Sequence, residues 1–101
     1  METEFDLCRI ALEEALRQAF PGATVEEFGR DTPNPGVKVD LQTERGLANV
    51  ELWKNLSFDV EAIENRTGQV LVRKSVENVT PGDVASAIAE LAAALRSRMP
   101  T

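Results

Sequence analysis

The stretch from Val37 to Val72, VKVDLQTERGLANVELWKNLSFDVEAIENRTGQVLV, decides the fold, because apolar residues recur in it at every second position in four successive runs. Val37, Val39 and Leu41 alternate with Lys38, Asp40 and Gln42. Ala48, Val50 and Leu52 follow, then Phe58, Val60 and Ala62, then Val70 and Val72. A period of two sends one set of side chains to a core and the other to solvent, so each run reads as a half-buried strand. Only Glu44-Arg45-Gly46, Lys54-Asn55-Leu56 and the residues from Glu64 to Gly68 separate the runs. Links this short join strands that are neighbours in space, which makes the sheet an antiparallel meander.

Residues directly opposite in an antiparallel pair share a face, so parity tests the register. A three-residue loop at Lys54–Leu56 sets Leu52 by Phe58, Val50 by Val60 and Ala48 by Ala62, whereas a two-residue loop would set Glu51 against Phe58. The same rule sets Leu41 by Ala48, Val39 by Val50 and Val37 by Leu52, then Ala62 by Val70 and Val60 by Val72. One apolar face closes. The outer face is then expected to read Lys38, Glu51, Asp59, Arg73 in one row and Asp40, Asn49, Glu61, Leu71 in the next, with Trp53 just beyond, beside Ser57.

Outward from the strands the period changes. Phe5, Cys8, Leu12, Ala15, Leu16 and Ala19 recur at spacings of three and four, which predicts an amphipathic helix over about Thr3–Phe20. Thr3 can cap its first turn, Glu4 and Asp6 suit the positive dipole end, and Phe20-Pro21-Gly22 stops it. Ala23–Phe28 leans towards a short strand, and the loop Gly29–Gly36, GRDTPNPG, has two prolines and two glycines that forbid regular structure. After the meander, Thr80-Pro81-Gly82-Asp83 announces a second helix with Val84, Ile88, Leu91 and Leu95 on one stripe, running to about Arg98. The expected fold class is α+β: an antiparallel meander sheet of four or five strands with N- and C-terminal helices packed on one face, residues 1–101 forming a single domain.

Composition narrows the chemistry. The chain of 101 residues has no His and no Tyr, and Cys8 is its only cysteine, which removes histidine acid–base catalysis, thiolate or imidazole metal cages and intrachain disulfides. Cys8 falls on the apolar stripe of its helix with no base to activate it, so it reads as a packed thiol. No GxGxxG or GxxxxGK[ST] stretch is present to cradle phosphate. Side chains on open strands point outward in parallel, so the carboxylates of the outer face do not converge on a metal, and no cofactor is expected. The net charge of −6 repels nucleic-acid phosphates and anionic lipid and attracts basic surfaces. No apolar run is long enough to span a membrane, the start METEFDLCR is acidic, and the lone thiol points to the cytoplasm.

What remains is the outer face, whose candidate partner-binding residues are Asp40, Glu51, Trp53, Asp59 and Glu61. Glu51 opposite Asp59 is a like-charge pair costing about 0.2–1 kcal/mol, offset in part by Lys38 and Arg73. Two readings stay open, an ordinary solvated face with flanking ion pairs or a docking surface. The indole of Trp53, on the polar side of its strand, is either exposed, as tryptophans that anchor partners are, or covered by the Gly29–Gly36 loop.

Three features resemble the TriTu family of bacterial immunity proteins from polymorphic toxin systems. They are PNPGVKVDL at Pro33–Leu41, the strand ending in Trp53 followed by a short turn and FDVEAI at Phe58–Ile63, and TGQVL at Thr67–Leu71. The closing helix fits in place and length, and the likeness spans roughly two thirds of the chain. The turn at Lys54-Asn55 departs from the family pattern, in which a more acidic or glycine-containing turn is expected. The resemblance implies a small non-catalytic protein that binds and neutralises a cognate toxin domain, acting as a monomer or weak homodimer. The charge of −6 adds the hypothesis that the toxin is a basic nuclease. A secretion chaperone or adaptor is the alternative, and it should dimerise through an exposed apolar helix face.

Overall fold

The computed structural model describes residues 2–96. Its elements run α1 (Glu4–Ala19), β1 (Glu26–Phe28), β2 (Gly36–Gln42), β3 (Gly46–Trp53), β4 (Phe58–Glu64), β5 (Val70–Val76) and α2 (Pro81–Arg96). The strands form one open antiparallel sheet in the order β1-β2-β3-β4-β5, as the short links require. The fold is α+β, with both helices packed against one face of that sheet. The expected continuation of α2 to Arg98 lies outside the described residues.

Each helix begins with a reciprocal cap. The amide of Asp6 donates to Thr3 Oγ1 at 3.1 Å while the Thr3 amide donates to Asp6 Oδ2 at 3.0 Å. Asp83 and Thr80 repeat the arrangement at 3.1 Å each way. Two otherwise orphaned amides are thereby satisfied at each helix start. The bond from the Thr3 amide, then hydrogen bonding from the Thr3 side chain, aided by the charges of Arg9 and Lys54, hold the Asp6 carboxyl below the usual carboxylate range.

Cys8, Leu12 and Leu16 of α1 and Val84, Ala87, Ile88, Leu91 and Leu95 of α2 close over Val37, Val39, Leu41, Ala48, Val50, Leu52, Phe58, Val60 and Ala62 of the sheet. Polar contacts pin the periphery. Arg9 on α1 donates to Glu27 of β1 at 3.0 Å, and Glu27 together with Glu13 keeps the guanidinium proton more tightly held than usual. Arg45 in the β2–β3 turn donates to the Ala94 carbonyl at 2.8 Å, tying that turn to the last turn of α2.

The register matches the expected one from β2 through β4: Val37 faces Leu52, Val39 faces Val50, Leu41 faces Ala48, and Leu52, Val50 and Ala48 face Phe58, Val60 and Ala62. It differs at β5. Val70 lies opposite Ile63, Val72 opposite Ala62 and Lys74 opposite Val60, with a shift between Ala62 and Ile63. The cause is the turn, which holds four residues, Asn65–Gly68, rather than five. The Glu64 amide donates to the Gln69 carbonyl, and the Gly68 amide, at φ 73°, donates to the Glu64 carbonyl, each at 2.8 Å. Thr67 braces the turn by donating to Glu64 Oε1 at 2.7 Å and accepting from the Gln69 amide at 3.1 Å. An even turn sends Val70 to the outer face, and the extra residue Leu71, a β-bulge, restores parity so that Val72 turns inward.

Candidate functional site

The outer face of the sheet carries neither helix, and four rows cross it. The first is Phe28, Gly36 and Trp53; the second is Glu26, Lys38, Glu51, Asp59 and Ser75. The third is Asp40, Asn49, Glu61 and Arg73; the fourth is Gln42, Leu47, Ile63 and Val70. The two middle rows therefore end in Ser75 and Arg73, where the sequence reading placed Arg73 and Leu71. The four-residue turn and the bulge together move the last member of each row by two positions.

Trp53 is neither open to solvent nor sealed by the Gly29–Gly36 loop. It is half-buried, with the ring of Phe28 edge-on against it at a centroid separation of 5.8 Å and an interplanar angle of 90°. Gly36 makes this possible. A Cβ there would lie 2.4 Å from the Leu52 carbonyl oxygen and 3.0 Å from Phe28 Cζ. The proline loop instead docks on the β3–β4 turn, where the Lys54 amide donates to the Pro35 carbonyl at 2.8 Å and the Asn55 amide to Asn34 Oδ1 at 3.0 Å. The indole is thus one half of an edge-to-face aromatic pair at one end of the face.

The carboxylates occupy the middle. Glu51 and Asp59 are half-buried directly across from each other, and Asp59 Oδ1 accepts from Ser75 Oγ at 2.6 Å. Asp40 and Glu61 are exposed on either side of Asn49, which donates to Asp40 Oδ1 at 2.8 Å. Glu61 is gripped by Arg73 through Nε at 2.8 Å and through Nη2. Arg73 therefore offsets Glu61, not the Glu51–Asp59 pair, and Lys38 is the cation nearest that pair in register.

The fourth row escaped the sequence reading. Leu47 and Val70 are 42% and 41% exposed and flank the half-buried Ile63, which makes an aliphatic end opposite the aromatic one. Its signal was present, since setting Ala48 by Ala62 also sets Leu47 by Ile63 on the other side. Val70 joins this row because the four-residue turn sends it outward, whereas strict alternation with Val72 predicts it inside.

Elsewhere the chemistry is spare. Cys8 is fully buried and its thiol donates to the Val79 carbonyl at 3.5 Å, while burial first, and Glu4 and Asp83 second, push its titration up, so the unreactive thiol form persists. Among the described residues no group of three or more His, Cys, Asp or Glu side chains comes together to hold a metal ion. No helix among them is long and apolar enough to cross a membrane.

A family model described as Immunity protein TriTu matches residues 8–94, from the buried cysteine to the last turn of α2. None of the curated proteins matches the chain.

Proposed function

Because this chain belongs to the TriTu immunity protein family, we propose that it binds a cognate toxin domain with the outer face of its sheet and neutralises it by occupancy alone, without catalysis. The observation that carries this reading is the outer face itself, an open sheet of five strands whose other face is the one the two helices cover. It holds five carboxylates, Glu26, Asp40, Glu51, Asp59 and Glu61, against two cations, Lys38 and Arg73. Half of the molecule's net charge of −6 is thus gathered on one surface. Trp53, braced by Phe28, is the anchor, because a held aromatic ring loses little freedom on binding. Asp40, Glu51, Asp59 and Glu61 supply the steering field.

A toxin that acts on nucleic acid has a basic cleft for phosphate, so the partner that fits best is a basic nuclease domain from a polymorphic toxin, met in the cytoplasm of the producing cell. The chain acts there as a monomer or weak homodimer. The test pairs Trp53→Ala with Glu61→Lys and co-expresses the variant with the toxin domain encoded beside it. Protection should be lost while the far-ultraviolet circular dichroism stays that of the parent, with a lower melting temperature because Phe28 loses its neighbour. Full protection by a folded double variant overturns the assignment.

A secretion chaperone or adaptor is favoured by one observation only. Leu7 and Ile10, one turn apart on α1, are 39% and 40% exposed. That reading requires a stable dimer through α1, and a monomer in light scattering rejects it.

A further inference from the structure

Resting on the toxin-binding reading, we infer that the aliphatic end of the outer face is a second anchor point, built to seat a long basic side chain of the toxin domain. Leu47, Ile63 and Val70 form a row there, and a shallow depression opens between Leu47 and Ile63 on one side and Asp40, Asn49 and Glu61 on the other. Such a surface suits a lysine or arginine, whose methylene stem covers apolar atoms while its charged head reaches carboxylate. The carboxylates are prepared for it. Asn49 and Arg73 engage Asp40 Oδ1 and Glu61 Oε2, and among the described residues Asp40 Oδ2 and Glu61 Oε1 accept no hydrogen bond.

Area supports a footprint that reaches this far. From the Trp53 row to the Leu47 row is six residues, about 20 Å, and the four long strands span about 14 Å, a projected area of roughly 300 Å² against the ~800 Å² of accessible surface per partner in a standard interface. A partner of standard size seated on the acidic middle therefore has the reach to cover both ends of the face. Charge decides which partner. Two copies of this chain meeting face to face would bring two surfaces of net −3 together, so a second copy is disfavoured and a basic surface is favoured.

The experiment measures binding of the purified cognate toxin domain to the parent chain, to Leu47→Ser with Val70→Ser, to Asp40→Asn, and to Trp53→Ala, at low and at high salt. Leu47 and Val70 are exposed, so their variants keep the fold, which a melting curve checks. The expected result is a loss of tenfold or more for the double serine variant with an unchanged salt slope, and a loss with a shallower slope for Asp40→Asn. Parent-like affinity of both, alongside a loss for Trp53→Ala, overturns the second anchor and leaves the toxin-binding reading standing. No binding by the parent overturns both. Dimerisation of the parent that the double serine variant abolishes, with toxin affinity unchanged, overturns the proposed occupant in favour of a second copy.

Discussion

At the scale of single residues, the most informative position is Leu56, the last residue of the β3–β4 turn. It is not glycine, yet its φ is 72°, and its amide donates to the Trp53 carbonyl at 2.8 Å. A side chain in the left-handed region costs about 1 kcal/mol, so something must hold Leu56 there. Two contacts do: the side chain packs on the edge of the core, and its carbonyl accepts the Val79 amide at 3.0 Å, joining the turn to the start of α2. Replacing the leucine separates the two effects. Leu56→Ala loses packing and keeps the strain, whereas Leu56→Gly loses packing and relieves it. The glycine variant should therefore be the more stable of the two by about 0.5 kcal/mol, the strain relieved less the ~0.5–1 kcal/mol that glycine's chain entropy costs, reversing the usual order of the two residues in structured chain. Urea denaturation of both variants measures the difference, and an alanine variant at least as stable as the glycine one would show that the turn stores no strain.

At the scale of elements, the pairing of β2 with β3 depends on a close approach that only Gly36 permits. Gly36→Ala must push the β3 backbone or the Phe28 ring aside, at about 2 kcal/mol, and should move Trp53 fluorescence to longer wavelength as the indole gains water. An unshifted spectrum with an unchanged melting temperature would mean that the strands accommodate a methyl group freely. The same elements show what could be read without coordinates. Alternating valines specify β2, β3 and β4 because a one-residue slip would bury Glu51, so parity alone recovers three strands and their partners. The Thr-x-x-Asp caps mark both helix starts because each uses a local hydrogen-bond pattern written in adjacent residues. The bulge at Leu71 has no such local mark. It follows from the competition between a four-residue turn favoured by Thr67 and Gly68 and the need to keep Val72 inside, and that competition is settled only in three dimensions. The brace on Trp53 was hidden for a related reason, since Phe28 belongs to a strand of three residues whose pairing is fixed by tertiary contact.

At the scale of the whole molecule, the charge that suits the chain to a basic partner also works against its own stability. Half of the excess of carboxylate lies on the outer face, and Glu51 faces Asp59 with a single lysine in register beside them. Salt should therefore act in opposite directions on the free chain and on its association with a basic toxin domain. Screening relieves self-repulsion in the first and weakens long-range attraction in the second. Asp59→Asn isolates the trade-off at one atom pair, because an asparagine carbonyl can still accept from Ser75 Oγ while the repulsion from Glu51 disappears. The variant should gain about 0.5 kcal/mol, which raises the melting temperature by about 2–4 °C for a domain of this size. Its association rate with the toxin domain should fall severalfold at low salt and converge with that of the parent at high salt. Calorimetry on the free chain and stopped-flow mixing on the pair read the two effects from the same variant. A gain in stability with no loss of association speed would mean that the charge at Asp59 serves something other than capture of the partner. A loss of speed without the gain would mean that Lys38 already cancels the repulsion within the face.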